Sequence, residues 1–196
     1  LVISCIAFDP NNPNVIYVGT GEANTAIITY RESSGRGIGI WKSIDSGQSW
    51  QLLSSTEDFA YITDIAIDSS SNVYVGVVSG TYYGVQESLP TDGLYVSEDG
   101  GNNWSQVLPN ITNDTTPYAP SDIEITTSGS IFVGTMKNLN GNGGSYILSC
   151  DSDNYNDWTL NPQIHNLISN QEEFNIHGRV MISSSQSNPN IIYAVF

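Results

Sequence analysis

Two octapeptides combine residue types that can do chemistry at a fixed spacing. Ser43-Ile44-Asp45-Ser46-Gly47-Gln48-Ser49-Trp50 and Ser97-Glu98-Asp99-Gly100-Gly101-Asn102-Asn103-Trp104 both fit Ser-x-Asp-x-Gly-x-x-Trp. An aspartate in a tight turn can accept backbone N–H groups of that turn, glycine supplies a positive φ, and tryptophan covers a large apolar area. That chemistry is structural rather than catalytic. A third copy is altered: Ser149 and Asp151 keep their places, Asp153 replaces the glycine, and two extra residues precede Trp158. Asp151, Asp153 and Asp157 suggest a calcium loop, but Tyr155 stands where an oxygen ligand is wanted and no glycine makes the sharp turn. A lengthened structural turn is the expectation.

Other reactive groups are sparse or badly spaced. His165, Glu172, Glu173 and His177 are metal-capable types in one stretch, yet no metal-ligand spacing is met. No metal, cofactor or catalytic residue is expected from this segment. Twenty acidic against five basic residues give a formal charge of −15. Such a field repels a phosphate backbone and excludes nucleic acid as a partner. No apolar run approaches the roughly 18 residues of a membrane span, so no membrane insertion is expected. Leu1 to Phe8 lacks the basic region of a signal peptide, and no initiator Met is present, which fits a mature or excised segment.

The elements that must position these turns show themselves as a repeat. Ile16-Tyr17-Val18-Gly19, Val73-Tyr74-Val75-Gly76 and Ile131-Phe132-Val133-Gly134 are near copies, and Ile192-Tyr193-Ala194-Val195 begins another. The aromatic recurs after 57, 58 and 61 residues. Each copy follows another apolar alternation, at Ile6 to Phe8, Ile65 to Ile67, Ile123 to Ile125 and Val180 to Ile182, across a linker rich in Pro, Asn, Asp and Ser. A third strand ends at Ser43, Ser97 and Ser149, and a fourth starts at Trp50, Trp104 and Trp158. Four short strands per unit and no amphipathic helix predict an all-β chain: a β-propeller fragment of three four-stranded antiparallel blades plus the start of a fourth. The blades span about 1–58, 59–118 and 119–176, with the fourth beginning at about 177–196. Cys5 and Cys150 then fall in blades one and three, and no disulfide between them is expected.

The turn motif resembles the Asp-box, or BNR repeat, of sialidases, sortilin-type receptors and bacterial secreted propellers. Gly19-Thr20-Gly21-Glu22, followed by Gly37-Ile38-Gly39-Ile40-Trp41-Lys42-Ser43, is similar to the sortilin-related bacterial members. The resemblance implies further blades of the same chain and a secreted or cell-surface location. It also implies structural roles for Ser43, Asp45, Gly47, Trp50, Ser97, Asp99, Gly101, Trp104, Ser149, Asp151 and Trp158. A sialidase would need an arginine cluster, whereas Arg31, Arg36 and Arg179 are the arginines here, and the Arg-Ile-Pro signature is absent. The related xyloglucanases use two carboxylates as acid and base, and the segment carrying their first catalytic Asp is not matched.

Antiparallel strands put the one–two and three–four turns on one face of the disc. The two–three loops and the blade connections lie on the other, with the long segments 21–37, 79–92, 109–121 and 161–178. Long loops on a rigid scaffold are where binding usually sits. Tyr30, Arg31, Arg36, Tyr82, Tyr83 and Tyr118 are the ligand-binding candidates, being types that stack on sugars or anchor peptides. Asp58, Asp64, Asp92 and Asp122 lie near that face as solvated or capping acids. The functional expectation is a non-catalytic propeller whose loop face binds protein, peptide or polysaccharide. The alternative is a glycoside hydrolase of the xyloglucanase or sialidase-like type, with catalytic carboxylates partly outside this segment.

Overall fold

A computed structural model describes residues 2–22, 35–87, 92–138, 140–163, 165–166 and 179–196. The expected meander is present three times. Strands β1 (Ile3–Asp9), β2 (Asn12–Thr20), β3 (Ile40–Ser43) and β4 (Gln51–Leu52) form the first four-stranded antiparallel sheet, hydrogen-bonded in chain order. The second contains β5 (Ile62–Ile67), β6 (Val73–Val77), β9 (Gly93–Ser97) and β10 (Ser105–Gln106). Between β6 and β9 lies a separate hairpin, β7 (Gly80–Tyr82) with β8 (Val85–Glu87). Thus the segment 79–92, expected as an irregular loop, carries a strand pair. The third sheet is β11 (Ala119–Ile125), β12 (Ser130–Met136), β13 (Ile147–Asp151) and β14 (Thr159–Asn161), and β15 (Met181–Ser185) pairs with β16 (Asn188–Val195).

Stacking of successive sheets explains the repeated tetrapeptide. β6 is buried along its whole length because its two faces meet different neighbours. Val73, Val75 and Val77 join Tyr17, Ile40 and Phe59 in the core between the first and second sheets. Tyr74 points the other way, into a core with Ile123, Ile131, Val133 and Leu148 of the third. A strand dry on both sides gains nothing from polar alternation, so it reads as a continuous apolar run.

The first strand of each four-stranded sheet carries a bulge at the same place, between Ile3 and Cys5, Ile62 and Asp64, and Pro120 and Asp122. Opposite it stands the last glycine of the repeat: Cys5 pairs with Gly19, Asp64 with Gly76 and Asp122 with Gly134. A bulge kinks its strand and re-aims a side chain. Here the glycine lets the next sheet approach. A β-carbon on Gly19 would lie 2.7 Å from Ile62 Cγ2, and one on Gly134 would lie 2.6 Å from the Val180 carbonyl oxygen.

The two matching turns are organised by their own side chains. Asp45 Oδ1 accepts the Ser49 N–H at 2.8 Å and the Ser43 hydroxyl at 2.8 Å, while Ser43 Oγ accepts the Gly47 N–H at 2.8 Å. Asp99 Oδ1 accepts the N–H groups of Asn102 and Asn103, both at 2.9 Å, and Ser97 Oγ accepts that of Gly101 at 2.8 Å. Hydrogen bonding from Ser49 to Asp45, and from Asn103 to Asp99, holds both carboxyls down to about 2. In the lengthened third turn Asp151 instead accepts the Ser130 hydroxyl at 3.2 Å, and residues 152–154 form a short 3-10 turn.

The tryptophans differ according to what lies against them. Trp104 joins the core toward the first sheet, 5.7 Å from Phe59, and donates to Ser55 Oγ at 3.2 Å. Trp158 packs in the next core, where its indole N–H is buried without a partner among the described residues. Trp50 departs from the expectation that the turn's tryptophan covers a large apolar area. It is 40% exposed instead, because it lies on the open side of the first sheet, where Ile6, Phe8, Val18 and Trp41 line a cavity of about 560 Å³.

Candidate functional site

Hydrogen bonds between turns confirm which loops share a face. Ser46 Oγ bonds Asn14 Oδ1 at 2.6 Å, and the Ser152 N–H donates to the Gly129 carbonyl at 2.9 Å, so the three–four turns sit beside the one–two turns. On the opposite face, the Gly37 N–H donates to the Ala60 carbonyl at 2.7 Å, and Asn142 Nδ2 to Asp114 Oδ2 at 3.1 Å.

That face assembles a compact cluster from three segments of chain. After β2, Thr20 Oγ1 donates to the Gly39 carbonyl at 2.6 Å and accepts the Ile38 N–H at 2.9 Å, which pins the return of the first loop. Arg36 emerges from this anchored end. From the second sheet, Tyr61 lies buried beneath the β7–β8 hairpin, and a β-carbon on Gly80 would fall 2.6 Å from its ring. The hairpin turns at Tyr83 and Gly84, whose φ values are 49° and 76°. Two successive positive φ angles match the right-handed twist of paired strands, although a tyrosine there is uncommon.

Glu87 is the centre of the cluster. Its Oε2 accepts Arg36 Nε at 3.0 Å and the Tyr61 hydroxyl at 3.0 Å. Burial, and then the bond to Glu87, pushes the Tyr61 phenol up. Beside this anchored pair the Tyr82 and Tyr83 rings lie 4.4 Å apart at 58°, and Tyr83 is 80% exposed. An exposed aromatic face can cover the C–H face of a sugar, while an Arg–Glu fork bonds hydroxyls at its edge.

The six candidates therefore separate. Arg36, Tyr82 and Tyr83 come together, and Tyr30 and Arg31 lie outside the described residues. Tyr118 goes elsewhere: it is buried in the core between the second and third sheets, its ring 5.6 Å from Tyr146. His165 stacks on Tyr146 at 4.1 Å with Nδ1 3.2 Å from the Gly144 carbonyl, while Glu172, Glu173 and His177 lie outside the described residues. Among the described residues no three His, Cys, Asp or Glu side chains converge as a metal site.

Sequence reasoning missed Tyr61 and Glu87, although Gly80 and the Tyr83-Gly84 pair, flanked by β-formers, carried a hairpin signal. Of the four acids near this face, Asp58 is exposed. Asp92 is buried and accepts the Ser79 N–H. Asp64 and Asp122 are half-buried, and each accepts a backbone N–H of the next sheet, from Ile123 at 2.9 Å and from Ile182. They cap backbone N–H groups, and the groups they cap belong to the neighbouring sheet.

Comparison with known proteins places the architecture. No family model matches the chain. A curated xyloglucanase of Hypocrea jecorina (strain QM6a) is 29% identical over 119 residues, which is 52% of this chain and 12% of that protein. The GH74 xyloglucanase from Xanthomonas campestris superposes with a TM-score of 0.57 at 19% identity, over 96% of this chain and 26% of its own. An ancestral GH74 enzyme gives 0.58 at 19% identity, over 92% of this chain and 22% of its own. The shared feature is the β-propeller fold, and this chain spans about a quarter of those solved structures or less. No helix among the described residues is long and apolar enough to cross a membrane.

Proposed function

We propose that this chain is the glycan-binding part of a propeller of the xyloglucanase-like type, with the binding surface on the face carrying Arg36, Tyr82 and Tyr83. The observation that carries the reading is the β7–β8 hairpin. It presents the paired Tyr82 and Tyr83 rings beside an Arg36–Glu87 fork that Tyr61 locks from below. A neutral polysaccharide suits this surface better than an anionic one, because Glu87 answers the Arg36 charge and the chain as a whole is strongly acidic. Ser43, Asp45, Gly47 and Trp50, with their counterparts Ser97, Asp99, Gly101 and Trp104, are Asp-box residues that shape the opposite face. A secreted or cell-surface location belongs to the same reading, supported by the polar, base-poor composition.

Hydrolysis is the second reading, favoured by the likeness to xyloglucanases. Its acid and base would be completed by residues beyond this segment. Calorimetric titration with xyloglucan oligosaccharides, run beside a reducing-sugar assay, tests both. Binding without release of reducing ends supports the first reading, and release of ends supports the second. Absence of both removes the glycan assignment and leaves a protein or peptide ligand for the loop face.

A further inference from the structure

The first strands of successive sheets are joined by a motif repeated at blade spacing. Thr63 Oγ1 donates to the Pro120 carbonyl at 3.0 Å, and the adjacent Asp64 Oδ2 accepts the Ile123 N–H at 2.9 Å. One sheet later, Ser121 Oγ donates to the Val180 carbonyl at 2.6 Å, and Asp122 Oδ2 accepts the Ile182 N–H. Hydroxyl and carboxylate thus grip a carbonyl and an N–H on the neighbouring strand. The bulge at each site turns both consecutive side chains the same way. The first sheet carries Ser4-Cys5 in the same places, so its junction lacks the carboxylate.

The two carboxyl groups are brought close together, since Asp64 Oδ2 takes the N–H of Ile123, the residue that follows Asp122, and each bears on the other's ionisation. Asp64 Oδ1 is occupied by its own Ile65 N–H at 2.8 Å. The charged group beside the pair is Glu124 on β11, which accepts the Ser184 hydroxyl of β15, while on β1 the Cys5 thiol feels the Asp64 charge. All of these neighbours are neutral or acidic. Neighbouring like charges in a half-buried site cannot both ionise cheaply.

We propose that Asp64 and Asp122 form a proton-dependent latch between blades, closed while the pair keeps one proton and loosened when both carboxyls ionise. Burial pushes the Asp64 carboxyl up to about 7, with the Asp122 charge adding to it, and burial also raises Asp122. Unfolded aspartates ionise near pH ~4. Between that pH and about 7 the folded state holds more protons than the unfolded one, so stability falls as pH rises. Above it the loss levels off. The latch would set how tightly the third sheet and the β15–β16 hairpin hold to the second.

Denaturant unfolding of the 196-residue chain between about pH 4.5 and pH 8.5 tests this, together with hydrogen exchange of peptides containing Ile123 and Ile182. The unfolding constant of the wild type should rise by up to about tenfold per pH unit within the window. Asp64→Asn, which keeps an acceptor for Ile123, should flatten that dependence. Asp122→Asn should move its midpoint to lower pH, because Asp64 loses the charge that opposes its ionisation. Exchange at Ile123 and Ile182, corrected for the intrinsic effect of pH, should rise through the window, while the junction at Cys5 and Ile62 stays constant. An unchanged pH slope in Asp64→Asn, an unmoved midpoint in Asp122→Asn, or a parallel rise at the Cys5 junction overturns the latch.

Discussion

A β-carbon on Gly76 would sit 2.5 Å from Thr63 Oγ1 and 3.2 Å from Pro120 Cγ, so this glycine is the gap through which the third sheet reaches the second. Gly134 plays the same part at the next junction, where the obstacle is the Val180 backbone. Backbone cannot swing aside as a side chain can. Gly134→Ala should therefore destabilise the chain by about 1–3 kcal/mol through overpacking. Gly84→Ala offers a comparison, since it has a positive φ and no described residue within 4 Å, and it strains only the hairpin turn. Thermal melts of the two variants should separate packing from backbone strain: loss of global stability for Gly134, and a local effect for Gly84.

The exposed turns should confer stability at acid pH that disappears in stronger acid. Asp45 and Asp99 titrate near 2 when folded and near ~4 when unfolded. Their contribution is fully present above the unfolded value and is lost as pH falls toward the folded one. Melting temperature should drop below about pH 4, and Asp99→Asn should make that drop shallower. Binding to any loop-face ligand at neutral pH should be unaffected, since the turns lie on the other face. Loss of affinity in a variant with an unchanged melting point would reverse the face assignment.

The buried and exposed tyrosines should part company on mutation. Tyr82→Ala and Tyr83→Ala should lower affinity for a bound oligosaccharide by about fivefold or more while leaving the melting point in place. Tyr118→Ala should cost about 3–5 kcal/mol of stability, because it empties a core position. Titration calorimetry and melting curves on the same three proteins check both halves. Should Tyr118→Ala fold normally and lose only binding, its place in the core is wrong.

Both cysteines are free, and their thiols should resist alkylation. Burial, and then the Asp64 charge, pushes Cys5 up to about 12, and burial with the nearby Asp151 and Asp157 does the same for Cys150. The thiolate is the reactive species, so at pH 8 the folded chain should label far more slowly than the chain in denaturant. Rapid labelling of either thiol in the folded protein, read by mass spectrometry, would contradict its burial.

The sequence by itself determined the meander: apolar tetrapeptides recurring about every 58 residues, turn residues between them and a Ser-x-Asp-x-Gly-x-x-Trp signal yield antiparallel sheets. All of these are local properties, in which a strand's alternation or a turn's hydrogen bonds depend on residues a few positions away. Tertiary structure alone decided what each repeated residue faces. The glycine closing each tetrapeptide reads locally as the end of a strand, yet its purpose is the approach of the following sheet. Thr63-Asp64 and Ser121-Asp122 read as polar residues at strand ends until the neighbouring backbone is set against them. Arg36 and Glu87, 51 positions apart and at different points of the repeat, meet only because one loop and one inserted hairpin fold over Tyr61. Such contacts follow from the path of the chain between blades, and that path is set by packing whole sheets together rather than by any pattern within one.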